Sequence, residues 1–313
     1  APRGNRATER NMVLSVGEIL ADLIGTWTDV SFFYERKAGG APFNVACGVK
    51  QFGAKSAFAG SVGEDTIGAY LEKFAKSRGL DELVLRRDNA RNTTLAFVEL
   101  DEMGERSFCF YRKNTADYNL PQVGSELLER ASVVHIGSLM LSERVGRDYA
   151  RTLARRANEA GKLVSFDVNF RTDVFRDREE AVRIYREMIE LADVVKFSED
   201  EIAVFGEEYV GALSDKLVCI TLGARGSEWR FGGKSGKVAS VRVKPVDTTG
   251  AGDAFYAGVL ARLDGVARES WTEEFLNETF AFANVCGALN TLGRGAIDHL
   301  PTLEQVEQAL KAK

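Results

Sequence analysis

The residues best suited to chemistry lie in one short string, Asp-Thr-Thr-Gly-Ala-Gly-Asp-Ala-Phe, at positions 247–255. An apolar-ended segment at 241–246 predicts a strand before the string, and the pattern at 254–263 predicts a helix after it. Glycines at a helix start leave backbone N–H groups open, and the helix dipole adds partial positive charge there. The string therefore predicts a phosphate cradle, and its amides would come from Gly250, Ala251 and Gly252.

A carboxylate directly follows the cradle. Asp253 would lie in the first turn of the predicted helix, close to any bound phosphate. Negative charge beside a phosphate is repulsive, unless the carboxylate has a task such as accepting the proton of an attacking hydroxyl. A carboxylate that only stabilises a helix start explains a lone Gly-x-Gly-Asp, but it does not explain the whole string at this junction. Asp253 is therefore the predicted general base.

The string resembles one signature of the ribokinase-like (PfkB) sugar and nucleoside kinases. A second signature of that family is matched upstream by Gly-Gly-Ala-Pro-Phe-Asn-Val-Ala at 39–46. The resemblance covers nearly the whole chain. It implies a ribokinase-like three-layer α/β/α fold with a mainly parallel central sheet and a small β lid. It also implies an ATP-dependent sugar kinase in which Asp253 deprotonates a primary hydroxyl and the cradle amides stabilise the transferring γ-phosphoryl.

Composition limits the alternatives. The chain has 313 residues, 45% of them hydrophobic and 28% charged, which is enough for a large α/β core. The net charge of −5 does not favour nucleic acid or an anionic membrane as a partner, and no run of about 18 apolar residues predicts a membrane span. Four scattered cysteines indicate a reducing compartment, which we take to be the cytoplasm with a plastid stroma left open. The expected partners are a small-molecule sugar and ATP.

The chain divides into an extension and one domain. Residues 1–11 are polar and Arg-rich, and we interpret them as an expression remnant, a native extension or the stub of a transit peptide. Over 12–313, strand and helix patterns alternate, which predicts βαβ units and a mainly parallel sheet. Patterns at 226–231 and 238–243 predict two antiparallel edge strands after the parallel ones.

A predicted strand at 32–36 and a predicted hairpin at 94–111 interrupt this alternation. They predict a β lid contributed by about 28–38 and 93–113. The resemblance implies that the lid closes over the sugar and pairs with the lid of a second subunit, so a homodimer is expected.

Candidate sugar-binding residues come from two places. Asp22 follows the predicted strand Val13–Val16, at the edge of a sheet where ligands of α/β proteins bind. Gly39 and Gly40 let the backbone approach a ligand, and Asn44 can both donate and accept hydrogen bonds. In the family that the chain resembles, these positions contact sugar hydroxyls. A helix-start turn explains the glycines equally well, and both interpretations can hold together.

Three further residues complete the predicted substrate site. Phe110 and Arg112 lie on the returning hairpin strand, and Arg112 would either reach into the site or remain a solvated charge at the strand end. Arg171 ends the string Asp-Val-Asn-Phe-Arg at 167–171, whose alternate residues would share one side if the strand continues. That string is similar to the Asp-x-Asn-x-Arg of fructokinases and ketodeoxygluconate kinases.

The resemblance implies nucleotide and metal residues in the C-terminal half. Glu201 matches a family glutamate that holds Mg²⁺ through water, whereas Ser198 stands where the family usually has asparagine. Both also fit an ordinary helix start. The residues implied to approach the nucleotide are Ser198, Thr221, Gly223, Gly226 and Asn284. Asp247 and Thr249, beside the Gly-rich segment at 292–296, are implied to hold a monovalent cation such as K⁺.

The predicted reaction converts fructose to fructose 6-phosphate, because the segments at 105–112 and 294–297 are similar to those of fructokinases. A 2-keto-3-deoxygluconate kinase is the alternative, although such enzymes tend to have a tyrosine where Phe110 stands. Ribokinase fits the string at 167–171 poorly. A catalytically idle, regulatory member of the family is a further alternative, but the intact Asp253, Gly250 and Gly252 speak against it.

Overall fold

The computed structural model describes residues 11–100, 106–171, 174–175 and 177–312, so the extension predicted at 1–11 lies outside the described residues except for Asn11. The strands are β1 (Val13–Val16), β2 (Leu20–Trp27), β3 (Phe32–Gly39), β4 (Ser56–Gly63), β5 (Glu82–Asp88), β6 (Leu95–Leu100), β7 (Arg106–Tyr111), β8 (Val133–Ile136), β9 (Leu163–Asp167), β10 (Val194–Ser198), β11 (Leu217–Thr221), β12 (Ser227–Phe231) and β13 (Lys234–Val238). The α-helices are α1 (Ala41–Gln51), α2 (Thr66–Ser77), α3 (Ser125–Arg130), α4 (Arg144–Glu159), α5 (Arg178–Leu191), α6 (Glu199–Phe205), α7 (Glu207–Gly211), α8 (Ala251–Leu263), α9 (Glu273–Asn290) and α10 (Leu303–Lys311).

The larger sheet has nine strands in the order β13-β12-β11-β10-β9-β8-β1-β4-β5. The strands from β11 to β5 are paired in parallel, and β12 and β13 add an antiparallel edge. Buried parallel strands read as nearly continuous apolar runs, and β8 (Val-Val-His-Ile) and β11 (Leu-Val-Cys-Ile-Thr) have that pattern.

Successive residues of each central strand pack against opposite helix layers, as the two-residue period of a strand requires. Val133 packs with residues of α1, α8 and α9, whereas Val134 packs with residues of α4 and α5. The predicted three-layer α/β class with a mainly parallel central sheet is therefore confirmed. Within the part of the chain that the structure describes, no helix is both long and apolar enough to cross a membrane.

The chain direction across the sheet reverses between β1 and β8. The chain runs from β1 outward to β4 and β5 on one side, and from β8 outward to β11 on the other. Loops that leave the two strands at such a switch point diverge, and the crevice between them is where open α/β sheets bind ligands. The segments after β1 and β8, which begin at Gly17 and Gly137, form this crevice.

A second sheet of four strands has the order β3-β2-β6-β7. It contains the segments predicted to form the lid, together with β2, which the sequence interpretation missed. β2 pairs with β3 over eight residues, from Leu20↔Gly39 to Trp27↔Phe32, and in parallel with β6. The strand was missed because Leu-Ala-Asp-Leu-Ile-Gly-Thr-Trp does not alternate strictly between apolar and polar residues.

Two other strand predictions need correction. Residues 241–246 are not a strand, and the last strand, β13, ends at Val238 instead of covering 238–243. Pro245 has no N–H to donate to a strand ladder. The amides of Val246 and Asp247 donate instead to the carbonyl of Thr291, at 2.7 and 3.1 Å. The segment is therefore tied to the end of α9, which places the start of α8. β5, at the other edge of the sheet, was not predicted.

Candidate active site

A cavity of about 350 Å³ lies at the crevice, beside the start of α8, and β2 and β7 of the smaller sheet contribute to its wall. The residues that line it are Glu18, Leu20, Asp22, Gly40, Ala41, Asn44, Phe108, Phe110, Ser138, Leu139, Asn169, Arg171, Lys196, Thr248, Thr249, Gly250, Gly252 and Asp253. Residues that the sequence analysis took from five separate segments thus meet around one space: Asp22, Gly40, Asn44, Phe110, Arg171, Thr249, Gly250, Gly252 and Asp253.

The predicted cradle is the start of α8. Gly250 precedes the helix with φ 74° and ψ 3°, a left-handed conformation, and no side chain caps the helix. A Cβ on Gly250 would lie 2.5 Å from the Cβ of Ala296, so the site also needs glycine for space. The amide of Ala251 donates to the carbonyl of Thr248 at 3.2 Å and is partly engaged. The start of α8 therefore faces the cavity with its positive dipole end.

Asp253 lies in the first turn of α8 and lines the cavity. Asn44, from α1, donates from Nδ2 to Oδ2 of Asp253 at 2.8 Å and so fixes the carboxylate. Burial raises the pKa of Asp253 to about 6, and the charge of Asp167 adds to the shift, while the Asn44 hydrogen bond opposes it. At neutral pH the group is mainly ionised, with a pKa close to the range in which a general base works well.

A buried ion pair lies beneath the cradle. Lys196, on β10, donates from Nζ to both oxygens of Asp167 on β9, at 2.9 and 2.8 Å. Burial opposes the charge on Lys196, but the carboxylate of Asp167 outweighs it and raises the pKa of the lysine. A Cβ on Gly252 would lie 3.5 Å from Nζ. The ammonium group therefore lies beside the cradle and lines the cavity with it.

The sequence analysis did not identify Lys196, although a signal was present. The strand Val-Val-Lys-Phe-Ser is buried along most of its length, and a charge within such a strand requires a partner. Arg171 is the other cation in the described wall of the cavity, and its guanidinium carbon lies 5.2 Å from the ring centre of Phe108. The cavity wall thus carries two positive groups close to Asp253.

Gly39 and Gly40 pack closely against Asp22 and Glu18, which both line the cavity. A Cβ on Gly39 would lie 2.2 Å from Oδ2 of Asp22, so any other residue at position 39 would displace this carboxylate. Gly40 has φ 109°, and a Cβ there would lie 2.5 Å from the carbonyl oxygen of Glu18. Glu18 is itself buried in the cavity wall. The predicted Gly-Gly pair therefore shapes this part of the site.

Arg112 does not line the cavity, which corrects both expectations for it. It is only 7% exposed, and its Nε donates to Oδ2 of Asp117 at 2.5 Å. Its Nη1 donates to the hydroxyl of Tyr118, the carbonyl of Leu139 and the hydroxyl of Ser142, at 2.6, 2.9 and 2.7 Å. Because β7 ends there, Arg112 ties the base of the smaller sheet to the segment after β8.

Of the residues implied to approach a nucleotide, Ser198 and Thr221 end β10 and β11 and Gly223 follows β11, whereas Gly226 precedes β12 and Asn284 lies on α9. Ser198 and Thr221 pair across these strands. Gly223 has φ 59°, and a Cβ there would meet nothing within 4 Å, so this backbone is open to a ligand. A Cβ on Gly226 would lie 2.1 Å from the carbonyl oxygen of Val238, which makes this glycine a requirement of the turn. Asn284 is buried and donates from Nδ2 to the same carbonyl at 2.9 Å.

Glu201 and Ser198 form a capping box at the start of α6. The Ser198 hydroxyl accepts from the amide of Glu201 at 3.2 Å, and Oε2 of Glu201 accepts from the amide of Ser198 at 2.7 Å. Oε1 of Glu201 accepts from the amide of Phe170 at 2.6 Å. Burial raises the pKa of Glu201, and the charge of Lys196 opposes the shift. Since both oxygens are engaged, this carboxylate suits a metal held through water better than one coordinated directly.

Asp247 joins the two loops that were implied to hold a monovalent cation. Its Oδ1 accepts from the amide of Thr249 at 2.8 Å, and its Oδ2 accepts from the amide of Gly295 at 3.0 Å. Thr249 also has a buried hydroxyl for which the described residues provide no hydrogen-bond partner. Within the described ranges, no cluster of three or more His, Cys, Asp or Glu side chains is arranged to hold a metal. A cation here would depend mainly on carbonyl and hydroxyl oxygens.

Comparison with known proteins places this geometry in a family. The family described as "pfkB family carbohydrate kinase" matches residues 10–303. "Probable fructokinase-6, chloroplastic" of Arabidopsis thaliana is 37% identical over 318 residues, which cover 96% of this chain and 83% of the relative. The crystal structure of a fructokinase with bound ATP from Xylella fastidiosa superimposes with a TM-score of 0.90 at 29% identity, over 96% of this chain and 98% of that one. A fructokinase from Vibrio cholerae O395, with fructose, ADP and calcium bound, gives a TM-score of 0.83 at 33% identity, over 97% and 99% of the two chains.

Proposed function

Because this chain belongs to the pfkB family of carbohydrate kinases, we propose that it transfers the γ-phosphoryl group of ATP to a primary hydroxyl of fructose, giving fructose 6-phosphate. The observation that carries this proposal is the position of Asp253. Nδ2 of Asn44 lies 2.8 Å from its carboxylate, which lines the cavity in the first turn of α8, three residues after the N-cap glycine Gly250. A base and an anion-binding helix start therefore face the same space.

The proposed mechanism needs little more than position and charge. Asp253 takes the proton of the attacking hydroxyl, and its raised pKa makes it a stronger base than an ordinary aspartate. The start of α8 stabilises negative charge on the phosphoryl group through its backbone N–H groups and its dipole. Lys196 places an ammonium group beside Gly252, and Asp167 holds it there. Arg171 contributes a second cation on the same wall.

The nucleotide would lie along the carboxyl ends of β10 and β11, where Ser198, Thr221 and the open backbone of Gly223 meet. Gly226 and Asn284 support that surface through Val238. A divalent cation such as Mg²⁺ neutralises charge on the transferring group when it is bound. Glu201 would contact it through water, because its oxygens already accept two backbone hydrogen bonds. A bound K⁺ ion would lie at the loops that Asp247 joins.

The charges around the sugar end favour a neutral substrate. Three carboxylates line the cavity: Glu18, Asp22 and Asp253. Of the two cations in its described wall, Lys196 is already paired with Asp167, and Arg171 lies where the phosphoryl group is expected. A sugar acid such as 2-keto-3-deoxygluconate would bring another negative charge among the three carboxylates, and Phe110 has no hydroxyl to offer it. The fold relatives named above as fructokinases agree with a neutral sugar.

Substrate preference tests this proposal directly. We expect kcat/KM for fructose to exceed that for 2-keto-3-deoxygluconate by at least about tenfold, a gap of roughly 1.4 kcal/mol in transition-state stabilisation. Coupled assays of ADP release with both substrates, run side by side at pH 7.5, measure the ratio. An equal or reversed preference would assign the chain to the ketodeoxygluconate kinases, and no turnover with any sugar of a panel would favour the idle, regulatory alternative.

We also propose that the protein is a homodimer joined through its smaller sheets. One face of that sheet carries a row of aromatic rings whose neighbouring centres are 4.8 to 5.0 Å apart. The rings belong to Trp27, Phe32, Tyr34, Phe97 and Tyr111. Trp27 is 77% exposed and Tyr111 is 62% exposed in the single chain. Contiguous apolar surface of this kind marks interaction sites, and a second copy of the sheet offers a matching surface.

Light scattering at micromolar concentration tests the dimer. The wild-type protein should have about twice the 34.4 kDa mass of one chain. Replacing Trp27 and Tyr111 together by serine should shift it to the monomer. Phe33 provides a matched control, because it is 56% exposed on β3 but alternates to the opposite face from Phe32 and Tyr34. A wild-type monomer, or a Phe33→Ser variant that dissociates equally, would contradict this arrangement.

For location, we propose the cytoplasm, with the plastid stroma as the alternative. All four cysteines are free thiols, and Cys47, Cys219 and Cys286 are buried, which fits a reducing compartment. The Arabidopsis relative is named as chloroplastic. Fractionation of cells that express the native gene, followed by detection of the protein in each fraction, distinguishes the two compartments.

A further inference from the structure

Glu18 is a buried carboxylate with an oxygen that has no partner. It follows β1 at the switch point, lines the cavity and is only 4% exposed. No hydrogen bond to its Oε2 is found within the described residues. The side chain crosses to the segment after β8, where a Cβ on Gly137 would lie 3.0 Å from Oε2. The fold therefore makes room for this carboxylate at the centre of the crevice.

Other buried carboxylates nearby all have strong partners. Asp167 is paired with Lys196, and Asp117 accepts from Arg112 and from two threonine hydroxyls. Asp253 accepts from Asn44. Leaving a buried polar group without a partner is costly, and such groups in native proteins call for an explanation. The exception at Glu18, in the wall of a cavity, is explained if its partner is the ligand.

We propose that Glu18 is a substrate-contacting and specificity-determining residue, whose carboxylate accepts a hydrogen bond from a hydroxyl group of a neutral sugar and excludes anionic sugars. This inference rests on the proposed function. The torsional preference of the last side-chain bond is broad, so the carboxylate of Glu18, which lines the cavity, can rotate to present an oxygen to a bound hydroxyl. Arg112 lies behind Glu18 and favours its ionised form, although it does not line the cavity itself.

The selectivity follows from the chemistry of the pair. A hydroxyl donates to a carboxylate, whereas a second carboxylate can only repel it. A sugar that lacks the hydroxyl would leave the buried acceptor unsatisfied, and sites built to bind a hydroxyl reject such analogues strongly. Asp22 and Asp253 can serve other hydroxyls of the same substrate, so Glu18 extends the contact surface to the segment after β8.

Sugar binding should therefore depend on pH near neutrality. Burial raises the pKa of Glu18 to about 7; its own backbone amide and Arg112 oppose the shift, and Asp117 and Asp253 add to it. Tyr185, from α5, is a further titratable group that interacts electrostatically with Glu18. It stays neutral because burial raises its pKa well above its usual value. The ionised carboxylate is the better acceptor, so fructose should bind more tightly above pH 7. A single group with this pKa weakens binding about tenfold between pH 8 and pH 6.

Calorimetric titration of fructose in the presence of ADP tests the proposal without turnover. An Asp253→Asn background removes the titration of Asp253, and Glu18→Gln is compared within it. At pH 8 we expect Glu18→Gln to raise the Kd for fructose on the order of 10- to 100-fold, since a hydrogen bond to a charged group is commonly worth that factor. The parent should show a pH dependence whose midpoint lies somewhat below that of wild type, because the charge of Asp253 is absent, and this dependence should disappear in Glu18→Gln.

Controls separate this role from a merely structural one. Glu64 follows β4 as Glu18 follows β1, but it is exposed, so Glu64→Gln should change neither the Kd nor its pH dependence. Burial raises the pKa of Glu18 to about 7 despite its backbone amide and Arg112, so its ionised form costs folding stability at pH 8, and the melting temperature of Glu18→Gln at that pH should equal or exceed that of its parent. A parent protein that binds fructose, combined with a Glu18→Gln variant of unchanged Kd and pH dependence, would overturn the inference alone. A parent that binds no fructose would instead overturn the proposed substrate.

Discussion

Replacing Asp253 by asparagine is expected to lower kcat by about 10²–10⁴-fold, because general-base catalysis is commonly worth that factor. Asparagine keeps the size of the side chain and can still accept from Asn44, whose Nδ2 lies 2.8 Å from Oδ2 of Asp253, but it cannot take a proton. Steady-state kinetics of ADP release with fructose measure the effect. The KM for ATP should change little, since the amides at the start of α8 remain.

The pH dependence gives an independent check on the same residue. Because burial raises the pKa of Asp253 to about 6, the ionised base is present above that pH and is lost below it. In wild type, kcat should therefore fall as the pH drops through about 6, and this limb should be absent from the residual activity of Asp253→Asn. The raised pKa also means that ionisation costs folding stability at neutral pH. The variant should consequently melt at the same temperature as wild type or higher.

Glu304 is a control for the simpler interpretation that Asp253 only stabilises the start of a helix. It is an exposed carboxylate in the first turn of α10, so it stabilises a helix start but lies outside the cavity. Glu304→Gln should leave kcat unchanged. If Asp253→Asn also retained near-normal kcat, Asp253 would be only a helix-start carboxylate, and the mechanism would need a different base.

Much of this site could be predicted because its chemistry is carried by short, contiguous strings. The cradle at 250–252 and Asp253 depend on one helix start, and local sequence determines where a helix starts. Asn44 is different, since its contact with Asp253 spans two helices far apart in the chain. The resemblance implied only that Asn44 binds the sugar, and no pattern within this sequence indicates its contact with Asp253.

The features that the sequence analysis did not predict share a physical cause. They depend on burial and on contacts between residues far apart in the chain. Arg112 reads as an exposed strand-end charge, and only the fold shows that Asp117, Tyr118 and Leu139 enclose it. Residues 241–246 have a strand-like pattern, but the amides of Val246 and Asp247 donate to the carbonyl of Thr291 at the end of α9 and not to a neighbouring strand. Lys196 is the opposite case, because a lysine within a buried strand was visible in the sequence and was not used.

The second large effect is expected when Gly252 is replaced by alanine, which should abolish most of the catalytic activity without reducing the stability of the fold. A Cβ on this residue would meet only the end of Lys196, at 3.5 and 3.6 Å, so alanine fits the fold. Replacing a helical glycine by alanine commonly stabilises a helix by about 0.5–1 kcal/mol. Gly252→Ala should therefore melt at the wild-type temperature or a few degrees above it.

The same methyl group would occupy the space beside the ammonium group of Lys196, where the transferring phosphoryl is expected. Removing one donor from such an anion site commonly costs about 10²–10³-fold in kcat. Gly252→Ala keeps its N–H group but fills the space that the anion needs, and we expect it to lose at least that much. Gly250→Ala is the informative contrast, because φ 74° and the contact with Ala296 make it disrupt the fold as well as the cradle. Thermal unfolding and kcat, measured on both variants, should show a stable, inactive protein for Gly252→Ala and a destabilised one for Gly250→Ala. An anion held by these amides cannot occupy the same space as a methyl group. A fully active Gly252→Ala enzyme would therefore contradict the proposal that the start of α8 binds the transferring phosphoryl group.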